Sequence, residues 1–340
     1  MKHILWLTSS FGLGHAYRDV GIARALRRLV QAEVVWLAGS PVREVLEAYA
    51  ERVHPASLSL QSSSRVLESA ARRSELDLGK VFWRYRRDLR HNLMVIQEAA
   101  RGEPFDLWVA DECWEVLFGL ETGRNGGPPL IFITDFLRFE SVGWNPFYRL
   151  LAYWLNRAFI RQCDGRGAVD ALIFLGEAED VPEGSFGPGL PQVSNWAAAN
   201  CHFTGPAFAF SPADLPPSSV LRRELGYPEE KRLIIASIGG TAAGKELLES
   251  CARAYEPLCQ ELGPVEMVLV GGPRISPTAL PGRDGIRAVG YLHELYRHFA
   301  ASDAAIVQGG WASTLELAAL RKPFLYFPLI QHFEQERHIP

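Results

Sequence analysis

Several things are scarce in this chain, and each scarcity removes a class of protein. The five cysteines, Cys113, Cys163, Cys201, Cys251 and Cys259, are odd in number and never spaced Cys-x-x-Cys, which argues against a disulfide framework and a zinc site. A reducing cytoplasm fits that usage. Basic residues are not in excess: 35 Lys and Arg stand against 39 Asp and Glu, so the net charge of −4 offers no footprint for nucleic acid. No run has the apolar length of a membrane span, and the stretch from Met1 to Thr8 is too short for the apolar core of a secretory signal. The chain contains no internal repeat and no low-complexity tract.

What is present is 340 residues with 48% hydrophobic content, enough for two cores. Short apolar runs alternate with helical patterns, as in a parallel sheet flanked by helices. The expected elements are a strand at His3–Thr8, a helix from Ala16 to Leu29, a strand at Glu33–Leu37 and a helix from Val42 to Tyr49. Further strands are expected at Leu107–Ala110, Leu130–Thr134 and Ala171–Phe174. A proline-rich passage from Gly205 to Pro217 reads as a linker. After it the pattern restarts, with a strand at Leu233–Ser237, a helix at Lys245–Leu262, strands at Glu266–Val270 and Ile286–Val289, and a helix through Leu292–Ala301. This predicts an α/β fold of two Rossmann-like domains, residues 1–205 and 218–340, joined by a linker at 206–217. Ligands in such folds bind outside the carboxyl ends of the strands.

The richest segment runs from Asp303 to Gln335. The apolar run Ala304–Val307 reads as a buried strand. Gly309 and Gly310 after it let the backbone turn and approach a ligand closely. Ser313 or Thr314 is expected to cap the following helix, whose amino end suits a diphosphate. Glu316 is expected in the first turn, within reach of two ribose hydroxyls. A second strand follows in Lys322–Pro328, then His332-Phe333-Glu334-Gln335. A glycine turn and capped helix also occur in any α/β protein, so the segment is specific only as a whole.

As a whole it resembles the donor-binding signature of the GT-B glycosyltransferases. The closest likeness is to the uridine-diphosphate-sugar-dependent families that include plant and antibiotic glycosyltransferases and the lipid-linked N-acetylglucosaminyltransferase of peptidoglycan synthesis. Gly309, Gly310, Trp311, Ser313, Thr314, Leu315, Glu316, Pro328, Glu334 and Gln335 fall into step with that pattern, while Gln308 and Ala312 depart from its plant form. The resemblance implies two domains facing across a cleft and a donor held by Gly239, Gly240 and Thr241, by Gly271, and by Gly290, Tyr291 and Leu292 at the base. It implies that Glu334 and Gln335 meet the sugar, and that helices follow beyond Pro340. No Asp-x-Asp occurs in the chain, and in the GT-B scheme the helix dipole and loop donors stabilise the leaving diphosphate, so neither a metal nor a cofactor is expected beyond the UDP-sugar co-substrate.

The first strand runs into Ser9-Ser10-Phe11-Gly12-Leu13-Gly14-His15-Ala16-Tyr17-Arg18. A dinucleotide-binding loop is disfavoured, because Tyr17 stands where a third glycine is needed and the second strand ends without an acid for the ribose. The same loop resembles the Gly-x-Gly-His that opens the first helix of GT-B enzymes. Transfer to a hydroxyl needs a base, and His15 is the candidate. Asp111 is the first choice to orient its ring, with Glu112 and Asp135 as weaker choices. Gly12, Gly14, Arg18 and Asp135 are expected on the acceptor side. Each of these acids also fits an ordinary cap or loop position.

Between Asp135 and Arg166 the chain is aromatic and basic, which suits either an interfacial helix with peripheral contact at the inner membrane surface or a helix packed on the first sheet. A second basic helix, Trp83–Arg90, points the same way. The acceptor is expected to be a small molecule or a lipid-linked one. Two other readings stay open: a nucleotide-sugar hydrolase or epimerase on the same scaffold, since Gly14-His15 with Arg18 also resembles a nucleotide-sugar hydrolase of pseudaminic acid synthesis, and a catalytically silent partner of a transferase.

Overall fold

A computed structural model describes residues 1–10, 12–62, 71–72, 75–76, 78–120, 127–140, 146–240 and 244–328. Thr241, Glu334 and Gln335 lie outside the described residues, as does Trp144. Contacts divide the chain into two compact units, one of residues 1–11, 15–63 and 79–209 and the other of residues 12–14, 64–78 and 210–340.

The first unit holds strands β1 (Lys2–Thr8), β2 (Ala32–Leu37), β5 (Leu107–Asp111), β6 (Leu130–Thr134), β7 (Ala171–Phe174) and β8 (Cys201–Phe203) in a six-stranded sheet of order β2-β1-β5-β6-β7-β8. Every ladder is parallel. The strands β3 (Ala71–Arg72) and β4 (Glu75–Leu76) form a small antiparallel pair. Strands buried on both faces carry unbroken apolar runs, and Ile4-Leu5-Trp6-Leu7 and Val34-Val35-Trp36-Leu37 are buried throughout. The helices are α1 (Leu13–Leu29), α2 (Val42–Ala48), α3 (Leu78–Gly102), α4 (Trp114–Gly119), α5 (Pro146–Cys163) and α6 (Val193–Asn200).

The second unit holds β9 (Arg232–Ser237), β10 (Val265–Val270), β11 (Ile286–Val289), β12 (Ala304–Val307) and β13 (Phe324–Tyr326) in a five-stranded parallel sheet of order β11-β10-β9-β12-β13. Its helices are α7 (Ser218–Leu225), α8 (Lys245–Leu262), α9 (Leu295–Ala301) and α10 (Trp311–Ala319). Leu233, Ile235, Val268, Val270, Phe299, Ala305 and Val307 make one core, and Ile234, Ala236, Met267, Leu269 and Leu248 make the other. The alternation along β9 shows that the sheet is covered on both faces. Arg222 ties α7 to the start of β12: its Nε donates to the Ala301 carbonyl at 2.9 Å and its Nη2 to Asp303 at 2.6 Å. Asp303 also accepts the Leu233 N–H at 2.7 Å, so one carboxylate registers β9 on this clip.

The expected strands of both modules are observed to within a residue, except that the one expected in Lys322–Pro328 is confined to Phe324–Tyr326. The first helix starts earlier than expected, at Leu13 and not Ala16, which puts Gly14 and His15 inside it. The last helix before β12 starts later, at Leu295 and not Leu292. The edge strand β8 was not anticipated, because three residues, Cys-His-Phe, carry no periodicity to read.

His298, on α9, is buried and its Nδ1 lies 2.7 Å from the Tyr227 hydroxyl. Burial, with the Arg297 charge beside it, lowers its pKa to about 4. The folded value lies below the ordinary one of 6.5, so the neutral ring supports the fold in full above pH 6.5 and that support is lost as pH falls towards 4. Urea denaturation at a series of pH values should show this residue costing on the order of 2 kcal/mol across that window. The His298→Gln variant should show a correspondingly shallower acid limb.

Candidate functional site

In each sheet the first strand of its unit has neighbours on both sides, so the strand order reverses beside it. Such a reversal leaves a crevice at the carboxyl ends of the two strands. In the first sheet the reversal falls between β1 and β5, where Thr8 is level with Asp111. In the second it falls between β9 and β12, where Ser237 is level with Val307. The singled-out loops follow these strand ends.

At the first reversal, α1 carries His15 and, one turn on, Arg18. His15 Nδ1 is 3.1 Å from Asp111 Oδ2, and its Nε2 is 3.9 Å from Glu112. Arg18 grips Asp111 with two groups, Nε at 3.0 Å from Oδ2 and Nη2 at 2.5 Å from Oδ1. Its Nη1 donates to Asp135. The structure thus brings His15, Arg18, Asp111 and Asp135 together, and Glu112 with them. Asp111 is fully buried, and burial alone would raise its pKa, but the Arg18 guanidinium and His15 outweigh this and hold it well below the usual carboxylate range. Arg18 is likewise buried; desolvation works against its charge, and Asp111 and Asp135 more than restore it.

Glu112 has a left-handed backbone, φ 44°, that an acid rarely adopts. Its Oε1 accepts hydrogen bonds from the Thr134 hydroxyl at 3.0 Å and the Asp135 N–H at 3.1 Å, which fixes the carboxylate beside the imidazole. A further carboxyl was missed from sequence. Asp19 is fully buried and accepts from the Thr8 hydroxyl at 2.8 Å; burial and the Asp111 charge push its pKa up. An acid within the apolar face of α1, four residues after His15, was the available signal.

At the second reversal, Gly239 follows β9 with φ 74°, and Gly309 follows β12 with φ 80°. Both conformations favour glycine. Gly271 ends β10, but Gly272 is the more demanding position: its φ is 69° and a Cβ there would sit 2.2 Å from the Gly239 carbonyl oxygen. Gly240 and Gly290 lie on the same rim, the latter after β11. Tyr291 is exposed, with its hydroxyl 3.4 Å from His293 Nδ1, while Leu292 packs on the unit's core.

The start of α10 corrects two expectations. Gly310 occupies the cap with no side-chain bond, so neither Ser313 nor Thr314 caps the helix. Thr314 lies inside it, its hydroxyl within hydrogen-bond reach of the carbonyls of Gly310 at 3.1 Å and Trp311 at 2.9 Å. The helix begins at Trp311, one residue after the glycine pair, which moves Glu316 into the second turn. Gln308 secures the loop, its Nε2 donating to the Phe327 carbonyl at 2.8 Å. Among the described residues Glu316 has no hydrogen bond or ion pair, and burial pushes its carboxyl up to about 8. Among the described residues no group of three or more His, Cys, Asp or Glu is arranged to hold a metal ion.

No protein-family model matches the chain. It is 26% identical over 210 residues to an uncharacterized glycosyltransferase of Methanopyrus kandleri, which covers 62% of this chain and 53% of the relative. The chain thus spans about half that relative's length. Among solved structures it is similar to the glycosyltransferase SnogD from Streptomyces nogalater, with a TM-score of 0.56 and 20% identity, covering 99% of this chain and 83% of that one. It is also similar to Phytolacca americana UGT2 complexed with UDP-2-fluoro-glucose and pterostilbene, with a TM-score of 0.55 and 15% identity, covering 97% and 81%. At these identities the likeness is one of fold, and that fold is the α/β GT-B one.

The Glu316 value of about 8 lies above its ordinary 4.5, so the contribution of the protonated carboxyl to folding is complete below about 4.5 and lost as pH rises through 8. Carbon-detected titration of the glutamate carboxyls should show one midpoint near 8 that is missing in Glu316→Gln, and a full set near 4.5 would contradict the assignment. At pH 9 the variant should be the more stable protein.

Proposed function

We propose that this protein moves a sugar from a nucleotide-sugar donor, a uridine diphosphate sugar, to a hydroxyl acceptor, without a catalytic metal. The observation that supports it most is the contact of His15 with a buried, ionised Asp111 at the carboxyl edge of a parallel sheet. A proton on Nδ1 directed at Asp111 leaves the Nε2 lone pair to take the acceptor's proton as the anomeric carbon is attacked, and the carboxylate steadies the imidazolium that forms. On the donor side, the positive-φ glycines of the second unit let backbone N–H groups approach a diphosphate, and the open amides of the α10 terminus suit its charge. Glu316, with no protein partner among the described residues, is suited to the ribose hydroxyls. Fold likeness to glycosyltransferases agrees with this reading.

The acceptor reading favours an amphiphile. No described helix is long and apolar enough to cross a membrane. Yet α5 turns Phe159 and Cys163 inward while Phe147, Leu150 and Trp154 stay exposed, with the Arg157 guanidinium 5.3 Å over the Trp154 ring. An apolar stripe beside arginines suits an anionic lipid surface. Sedimentation with phosphatidylglycerol vesicles, but not with phosphatidylcholine vesicles, is the expected behaviour, lost in Trp154→Glu; equal binding to both would reject it.

Turnover on a panel of nucleotide sugars and acceptors should fall on the order of 10²–10⁴-fold in His15→Ala, with UDP affinity unchanged. Equal loss of both would reject the base. UDP binding near pH 7 should release a proton from Glu316, because ribose hydroxyls favour the carboxylate. Calorimetry in buffers of different ionisation enthalpy should register that proton, and Glu316→Gln should abolish it.

A further inference from the structure

His15 Nδ1 has two neighbours with opposite demands. Asp111 Oδ2, at 3.1 Å, accepts a proton carried there, whereas Arg18 Nη2, at 2.9 Å, donates to a lone pair there. Only the first arrangement leaves Nε2 free to act as a base. The outcome turns on whether Asp111 keeps its charge. Four carboxyls, those of Asp19, Asp111, Glu112 and Asp135, are gathered in this buried cluster, and like charges out of water drive protons onto one another. A protonated Asp111 would itself donate to Nδ1 and move the imidazole proton to Nε2.

We infer that Arg18 is the positioning residue that keeps Asp111 a hydrogen-bond acceptor, and through it holds His15 in the tautomer with the proton on Nδ1. The fork engages both Asp111 oxygens and is anchored on its far side by Asp135, so the cation is fixed against the carboxylate it must keep ionised. Arg18 is 7% exposed, so the cation is held for its neighbours and not for solvent. Among the influences that lower the Asp111 pKa, Arg18 is the largest, ahead of His15. Asp135, singled out as a weaker orienter of His15, is assigned here to the anchoring of Arg18.

The inference rests on His15 being the base, and the two fail separately. Nitrogen-15 spectra of histidine-labelled protein read the tautomer directly, whatever the substrate. Wild type should show a protonated Nδ1 and a bare Nε2. Arg18→Gln should reverse this and lower turnover on the order of 10²–10⁴-fold at an unchanged donor KM. Arg18→Lys, which keeps a cation, should retain the wild-type tautomer, and it decides the matter if the glutamine variant does not fold. A wild-type ring protonated at Nε2, or a wild-type tautomer and turnover in Arg18→Gln, would overturn the inference. Full turnover in His15→Ala would instead remove the base assignment and leave the tautomer result standing.

Discussion

The first unit depends on an ion pair buried at the end of its sheet. Asp111 terminates β5 with no exposed surface, and Arg18 meets it through two donors from α1. A buried carboxylate without a partner is among the costliest groups a protein can hold. The pairing therefore fixes more than a charge. It sets the rotation of α1 on the sheet, because Arg18 reaches Asp111 only from the helix face that also carries His15. Glu112 and Asp135 close the cluster from the loops after β5 and β6, both tied through Thr134 and the Asp135 N–H.

The second unit solves a different problem, the close approach of backbone to backbone. Gly239 and Gly272 face each other so tightly that a methyl group would meet a carbonyl oxygen, and Gly309 turns the chain into α10. Glu316, in the second turn of α10, is a side chain that burial holds protonated.

Much of this was legible in the residues. Parallel strands buried on both faces must be apolar throughout, so β1, β2, β9 and β12 announce themselves. The glycines after the strand ends were also legible, and His15 and Asp111 were paired through the likeness of their loops to those of GT-B enzymes; the two lie at the level ends of β1 and β5. What stayed hidden depends on side chains converging from distant segments. Nothing in the spacing of Arg18, Asp111 and Asp135 tells that one guanidinium bridges both acids. Local signals also misled at α10, where Ser313 and Thr314 are good capping residues but the cap falls on Gly310, three residues before the one and four before the other. The short edge strand β8 is held by its neighbour β7 and not by its own composition.

The left-handed turn at Glu112 has a consequence for how this protein can change. A glycine there would relieve the backbone, by about 1 kcal/mol, and an asparagine would fit nearly as well. Either would also strip the carboxylate that Thr134 and the Asp135 amide hold beside the imidazole. Backbone ease and the placement of a carboxylate beside His15 thus pull in opposite directions at a single position, and a search for sturdier variants that scored folding alone would discard that carboxylate.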